Sequence, residues 1–475
     1  MSEQHQSAQF RIQPFQKVKR PKAPIAIVLT GAGARGAYEA GFVSRLLPEL
    51  ETRPTILIGT SAGAINAALL ASLAARTPEE ASRELVERWQ RIHKEMVLGP
   101  VVPSLLSAGA KYLAGLLCGT NGPTSLLDTR PLRANLENPT LVDWDVIHDN
   151  LQVSPKDCEG DGTVDGNELS DNPQGSSKDC KRDRSVDRKR AKVDVLAVAT
   201  TESGSGRTKI FYQMGANSCA RIPKNDEDRA IEYIPTRLSP EHVLASAAIP
   251  VLFPPIRIGS QARGRFYVDG GVRLNAPLQP AIDFGAEAII VISTDSRRYG
   301  ASAAVNINEW PSLQDHVLQV MRVITSDRMI EEVHKQVEVN ADFLQKQEGE
   351  TKECSPPCIP IIFGGPSGQE AVGSVAARAL EDILRGTRKL QHRDLWLLYV
   401  LTSVSPYSRP DVLSYVLFNP LFISAAIRAG IQDADALIED AKTFGEGDDT
   451  EEKLWNVLQK KQHEKMVRLE SCKVR

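Results

Sequence analysis

The stretch Thr55-Ile56-Leu57-Ile58-Gly59-Thr60-Ser61-Ala62-Gly63-Ala64-Ile65-Asn66-Ala67-Ala68-Leu69-Leu70 decides the fold. It passes from an apolar segment, through a serine flanked by glycines, into a helix-favouring segment. That strand–turn–helix context is what makes G-x-S-x-G a nucleophile elbow. Gly59 and Gly63 let the chain turn sharply and leave the Ser61 hydroxyl projecting at the end of a sheet. The helix that follows aims its first N–H groups and positive dipole end at the place where an oxyanion would form. A plain small-residue turn packing a helix onto a strand has the same local pattern, so the serine needs support from elsewhere in the chain.

Two other segments supply it. Ile25-Ala26-Ile27-Val28-Leu29-Thr30 has a buried-strand pattern and leads into Gly31-Ala32-Gly33-Ala34-Arg35-Gly36. The three glycines also fit the dinucleotide fingerprint G-x-G-x-x-G. Such a site requires a second strand ending, about 20 residues on, in an acidic residue that holds the ribose. Here the second strand ends at Ile58 and delivers the serine instead. The loop is therefore read as facing an anion through its backbone N–H groups, with Arg35 beside them. The other segment, Gly264-Arg265-Phe266-Tyr267-Val268-Asp269-Gly270-Gly271, is a short strand that ends at Asp269. Strand ends are where catalytic groups of open α/β sheets gather. Asp-Gly also makes ordinary turns, but the order of glycine loop, elbow serine and strand-end aspartate favours a catalytic use.

In that order the three motifs resemble the patatin-like phospholipase family. The connecting stretches Leu244–Pro255 and Val272–Leu278 are similar to the family's as well, and the resemblance spans Ile25 to Thr294 with one insertion. It implies an α/β fold, a three-layer sandwich around a mainly parallel sheet. It also implies hydrolysis of acyl esters in phospholipids, lysophospholipids or acylglycerols by a Ser-Asp dyad, with no cofactor required for the chemistry. By the resemblance Ser61 is the nucleophile and Asp269 the base. Gly31, Gly33, Ala34, Arg35 and Gly36 form the oxyanion loop, and Gly59, Gly63, Gly270 and Gly271 complete the motifs. Ala32 stands where many members carry glycine, a change that backbone donors survive.

The histidines agree with a dyad. An α/β-hydrolase triad needs an acid and then a histidine after its serine. His93, His148, His242, His316, His334, His392 and His463 follow Ser61, none of them in a glycine-rich or strand-end setting. A lone aspartate can take the serine proton and return it to the leaving alcohol if burial raises its basicity.

Length and composition bound the rest. At 475 residues with a net charge of −3, the chain is long enough for a large α/β enzyme and too weakly charged to suggest nucleic acid as a partner. No apolar run reaches the length of a membrane span, and Met1–Gln9 lacks the apolar core of a secretory leader. Seven cysteines without a regular framework favour a reducing compartment. A cytoplasmic protein acting transiently at membrane surfaces is the expectation. The competing class is a non-catalytic, membrane-associated binding or regulatory protein of the same fold. Retention of both Ser61 and Asp269 argues for the enzyme.

Four parts follow along the chain. Residues 1–23 are a polar tail whose Lys17, Lys19, Arg20 and Lys22 suit anionic lipid. Residues 24–300 form the catalytic domain, and 301–475 a mainly helical extension. In that extension Phe422–Gly430 reads as a helix closed by its glycine. An acidic then basic insertion occupies 154–192. In it Asp157, Glu159, Asp161, Thr163, Asp165 and Glu168 follow the ligand spacing of a calcium loop, with Gly162 at the sharp turn. Pro155 and Pro173 flank it where an EF-hand would have helices. A calcium loop and a solvated acidic loop both fit.

Overall fold

Five consecutive apolar residues, Ile25–Leu29, form β1 at the middle of the sheet, and their side chains divide by parity. Ile25, Ile27 and Leu29 enter one hydrophobic layer, Ala26 and Val28 the other. A strand buried on both faces reads as a continuous apolar run, and it needs helices or loops above and below. In this computed structural model the described residues are 20–21, 23–118, 122–151, 192–216, 218–260, 263–295, 332–333, 335–340, 358–366, 372–384 and 409–473.

The other strands are β2 (Ile56–Thr60), β3 (Val195–Glu202), β4 (Thr208–Met214), β5 (Ile231–Pro235), β6 (Ile256–Ile258), β7 (Arg265–Asp269), β8 (Ala288–Ile292) and β9 (Ile361–Gly364). The sheet order is β5-β4-β3-β2-β1-β8-β9, with β7 also paired to β3 and β6 to β7. β9, β8, β1, β2 and β3 run parallel, while β4 and β7 each lie antiparallel to β3. The expected sandwich around a mainly parallel sheet is what the chain forms.

The helices among the described residues begin with α1 (Gly36–Leu46), α2 (Ala62–Ser72), α3 (Pro78–Gln90), α4 (Lys94–Val97), α5 (Val101–Cys118), α6 (Arg130–Leu136) and α7 (Trp144–Asn150). They continue with α8 (Pro240–Ser246), α9 (Leu278–Asp283), α10 (Val372–Leu384), α11 (Arg409–Val416), α12 (Pro420–Phe444) and α13 (Thr450–Lys473). α2 is buried along its whole length, as its sequence of alanine, leucine and isoleucine with no charge requires. α8 starts where Ser239-Pro240 places it, with a reciprocal cap between Ser239 and His242.

The part beyond residue 300 is mainly helical among its described residues, as expected, and adds two features the sequence did not signal. It supplies a strand as well as helices, since β9 extends the sheet beside β8. Gly430 does not close a helix either: α12 continues through it to Phe444. The reason is steric. A Cβ on Gly430 would lie 2.1 Å from the Tyr38 carbonyl oxygen, and one on Gly41 would lie 2.2 Å from that of Ile427. The two glycines let α1 and α12 cross with their backbones in contact, a use that local sequence cannot distinguish from a cap.

This crossing predicts a contrast among three helical glycines. Gly41→Ala and Gly430→Ala should each destabilise the protein by about 1–3 kcal/mol, because the crossing is overpacked. Gly109→Ala in α5, where an added Cβ meets nothing within 4 Å, should be neutral or gain up to about 1 kcal/mol. Urea unfolding midpoints of the three variants test this, and equal effects would refute the crossing.

Candidate active site

Strand register assembles the site. Leu29 of β1 lies opposite Gly59 of β2, Thr60 opposite Ala199 of β3, and Thr200 opposite Asp269 of β7. The segments that follow β1 and β2 and the end of β7 therefore meet, which brings the Gly31 loop, Ser61 and Asp269 together. The loop and the serine meet because the parallel β1 and β2 share one carboxyl edge, and Asp269 joins them because β7 pairs with β3 at Thr200.

Ser61 has φ +54° and ψ −123°, a conformation that L-residues rarely adopt, held between β2 and α2. The flanking glycines are required by the closeness of this turn. A Cβ on Gly59 would sit 2.1 Å from the Gly63 carbonyl oxygen, and one on Gly63 would sit 2.4 Å from that of Leu29. The Ser61 N–H donates to Ser246 Oγ at 2.8 Å, and that hydroxyl donates onward to the Ala199 carbonyl at 2.6 Å. Ser246 thus pins the elbow to β3.

Asp269 is buried, with the Ser61 side chain near enough to favour its charged form. Burial pushes its carboxyl up to about 6, against the lowering effect of the Ser61 and Gly271 donors. The Gly271 N–H donates to Oδ1 at 2.7 Å, an Asp-Gly-Gly turn that orients the carboxylate. Gly270 passes so close under β3 that a Cβ there would be 2.3 Å from the Ala199 carbonyl oxygen.

The glycine loop divides its labour. Gly31 donates its N–H to the Asn275 carbonyl at 3.3 Å, and Arg35 donates its own to Ala32 at 3.1 Å. The Gly36 N–H bonds back to Ala34 and Gly33. The N–H groups of Gly33 and Ala34 stand at the start of this 3₁₀ turn, ahead of its first internal bond. Gly33 has φ +55° and lines the same cavity as Ser61. The Arg35 guanidinium is turned elsewhere. It is buried, donates to Ser414 Oγ at 2.6 Å, pairs with Asp295 at 3.0 Å and lies over the Tyr415 ring. Its charge joins the loop to α11 and the end of β8.

An apolar cavity leads away from Ser61, lined by Ile65, Trp89, Ile92, Val97, Leu136 and Phe253, and also by Tyr415 and Phe418. Its polar lining includes Asn135, whose amide donates to the Met96 and Pro131 carbonyls and leaves the wall effectively dry. Such a cleft suits an acyl chain.

Three residues unassigned by sequence reasoning support the site. Glu39 is fully buried and accepts from Thr30 N (2.7 Å), Thr30 Oγ1 (3.0 Å) and Asn66 Nδ2 (3.0 Å). Asn66 in turn accepts from Trp89 Nε1 at 2.6 Å. Glu39 therefore links the last residue before the glycine loop to the nucleophile helix. No local pattern marks it, because a carboxylate in a helix usually faces water. Ser246 lay within a stretch singled out for its resemblance, and that was its only signal.

Of the histidines, His242 is nearly buried in the α8 cap against Phe211, and burial pulls it down to about 4. His148 is also pulled down by burial and bonds Gln213. His93 contacts the Arg91 carbonyl. The side chains of His316, His334, His392 and His463 lie outside the described residues, as do Asp157, Glu159, Asp161, Thr163, Asp165 and Glu168. Among the described residues no group of His, Cys, Asp and Glu could hold a metal ion.

A family model for patatin-like phospholipases matches residues 27–282, just over half of the chain and inclusive of every residue of the site up to Asp269. The crystal structure of VipD from Legionella pneumophila is similar at 13% identity, over 88% of this chain and 68% of that one, with a TM-score of 0.29. Comparison with curated proteins finds no match.

Burial holds the Glu39 carboxyl up at about 8, against the Asn66 and Thr30 donors. Since that lies above the ordinary carboxylate value of about 4.3, its contribution to stability is full below that pH and is lost as pH rises through about 8. Glu39→Gln should therefore flatten the fall in unfolding free energy between about pH 5 and pH 9. Chemical denaturation across that range checks it. An unchanged slope would mean that Glu39 is not held protonated.

Proposed function

Because the chain belongs to the patatin-like phospholipase family, we propose that it hydrolyses acyl esters of phospholipids, lysophospholipids or acylglycerols through Ser61 and Asp269. The observation that carries this reading is the nearness of the Ser61 side chain to a buried Asp269, with Ser61 lining an apolar cavity. The lipid's acyl chain occupies that cavity and its ester carbonyl comes to rest over Ser61. Oγ attacks the carbonyl carbon while Asp269 takes the hydroxyl proton. The N–H groups of Gly33 and Ala34, with that of Ala62 at the start of α2, stabilise the developing oxyanion. Collapse of the tetrahedral intermediate expels the alcohol, which receives the proton from Asp269. Water then attacks the acyl-serine with Asp269 again as base, releasing the fatty acid and restoring the hydroxyl. Every step moves protons and acyl groups only, so chelator should leave the hydrolysis of a soluble ester intact.

Two substitutions test the dyad. Ser61→Ala should lower kcat on a soluble p-nitrophenyl ester by about 10⁴-fold or more, and Asp269→Asn nearly as much, because the two act as one unit. Changing each histidine to glutamine should leave most activity. A histidine whose loss equals that of Ser61 would replace the dyad with a triad. Wild-type rates in folded Ser61→Ala would return the protein to the non-catalytic class.

Acidity supplies a separate check. Asp269 must be ionised to accept a proton, and its carboxyl lies at about 6. The kcat/KM of the wild type should rise with pH through that value and level off above it. A profile flat between pH 5 and pH 8 would exclude Asp269 as the base.

A further inference from the structure

Among the described residues, α5 is a helix whose sequence and surroundings disagree. Val101–Cys118 carries a single charge, Lys111, among valine, leucine, alanine and glycine. A helix this apolar on every side belongs in a core or in lipid. Only its first half rests on the protein, through Val101 and Ala108. From Gly109 to Ala114 every residue is exposed, which covers all faces of the helix. Leu106, Tyr112, Leu113 and Leu117 are 70%, 59%, 58% and 83% exposed.

Its position gives the exposure a purpose. The helix begins just after Val97, a wall of the cavity above Ser61. The chain that returns from it bonds through Leu126 N and Leu127 N to the Val251 and Leu252 carbonyls, both at 2.9 Å. Val251 is itself 69% exposed with φ +70°, and it sits between Ile249 and Phe253, two further walls of that cavity. The start of α5 and the segment that follows it at Leu126 are thus both tied to residues at the rim of the cavity.

We propose that α5, together with Val251, is the element by which this protein inserts into a lipid bilayer and aligns its cavity with membrane-held acyl chains. The proposal rests on the hydrolase reading above. A bilayer is the fitting occupant because the same surface borders the cavity that must admit the substrate. A resident protein there would obstruct the cavity, whereas a membrane delivers acyl chains to it. No helix among the described residues is long and apolar enough to cross a membrane, so α5 lies within the interface, its lone lysine reaching the headgroups and its leucines the acyl region. The absence of any acidic residue in α5 suits an anionic surface.

The test separates docking from chemistry. Ser61→Ala protein, with and without Leu113→Glu/Leu117→Glu, is sedimented with vesicles of phosphatidylcholine and phosphatidylglycerol. Both leucines are exposed, so thermal unfolding should be unchanged, and Leu106→Glu serves as an independent second variant. The expected result is vesicle binding that weakens about ten-fold or more in either variant. On the Ser61 background, hydrolysis of a soluble short-chain ester should stay within about two-fold, while release of fatty acid from the vesicles falls with binding. Unchanged sedimentation in both folded variants overturns the proposal. So does size-exclusion chromatography in which the glutamates dissociate a dimer and leave vesicle binding intact, since a second copy would then cover α5. If sedimentation falls as expected but the parent enzyme cleaves no ester, the docking helix stands and the hydrolase reading fails.

Discussion

The whole site hangs on the steric closeness of β2 and α2 at Ser61. A strand can hand over to a helix within one residue only if that residue accepts φ +54° and its neighbours carry no side chain toward each other. Gly59 and Gly63 meet that condition, but they do not hold the turn in place. Holding comes from outside it: Ser246 grips the Ser61 N–H from α8, and Glu39 and Asn66 brace the nucleophile helix against the residue before the glycine loop. A strained residue persists where its surroundings over-determine it, and here three separate elements do so.

Electrostatics follow from the same packing. The layer that encloses Ser61 also dries Asp269 and Glu39, and both carboxyls lie above their ordinary range for that reason. Their consequences diverge. Asp269 has the serine hydroxyl as a neighbour and a value near 6, so at neutral pH it is a charged group able to accept a proton. Glu39 has only structural donors and a value near 8, so at neutral pH it is mainly a neutral brace. Burial thus leaves Asp269 largely ionised and Glu39 largely neutral at neutral pH.

Much of this was legible in the sequence. The elbow, the glycine loop and Asp269 each carry a local signature, because a sharp strand-end turn needs particular residues at fixed spacing. The buried strands were visible as apolar runs, and the mainly parallel sheet was what the family resemblance implied. What local pattern could not show are contacts made by residues far apart in the chain. Tyr415 and Phe418 line the cavity from a segment more than 350 residues beyond the serine (415 − 61 = 354). Arg35 looked like a partner for an anion, yet Asp295, Ser414 and Tyr415 take its guanidinium. Gly430 looked like a helix end because the same residue type serves caps and close crossings alike. The acidic ligand set at 157–168 lies outside the described residues, and its reading stays where the spacing leaves it.

The reach of the carboxyl-terminal part has a consequence for what counts as a module here. The family-matched region closes at residue 282, yet β9 on the sheet edge, the partner of α1 and one wall of the cavity all come later in the chain. The inherited unit and the folding unit are therefore different lengths. Recombination or truncation at the boundary of the shared segment would sever α1 from α12, remove β8 and β9 from the edge of β1, and open the apolar cavity to water. Variation among relatives in this later part would then alter the shape of the cavity without touching Ser61 or Asp269, a route by which what the cavity admits can drift while the motifs stay fixed.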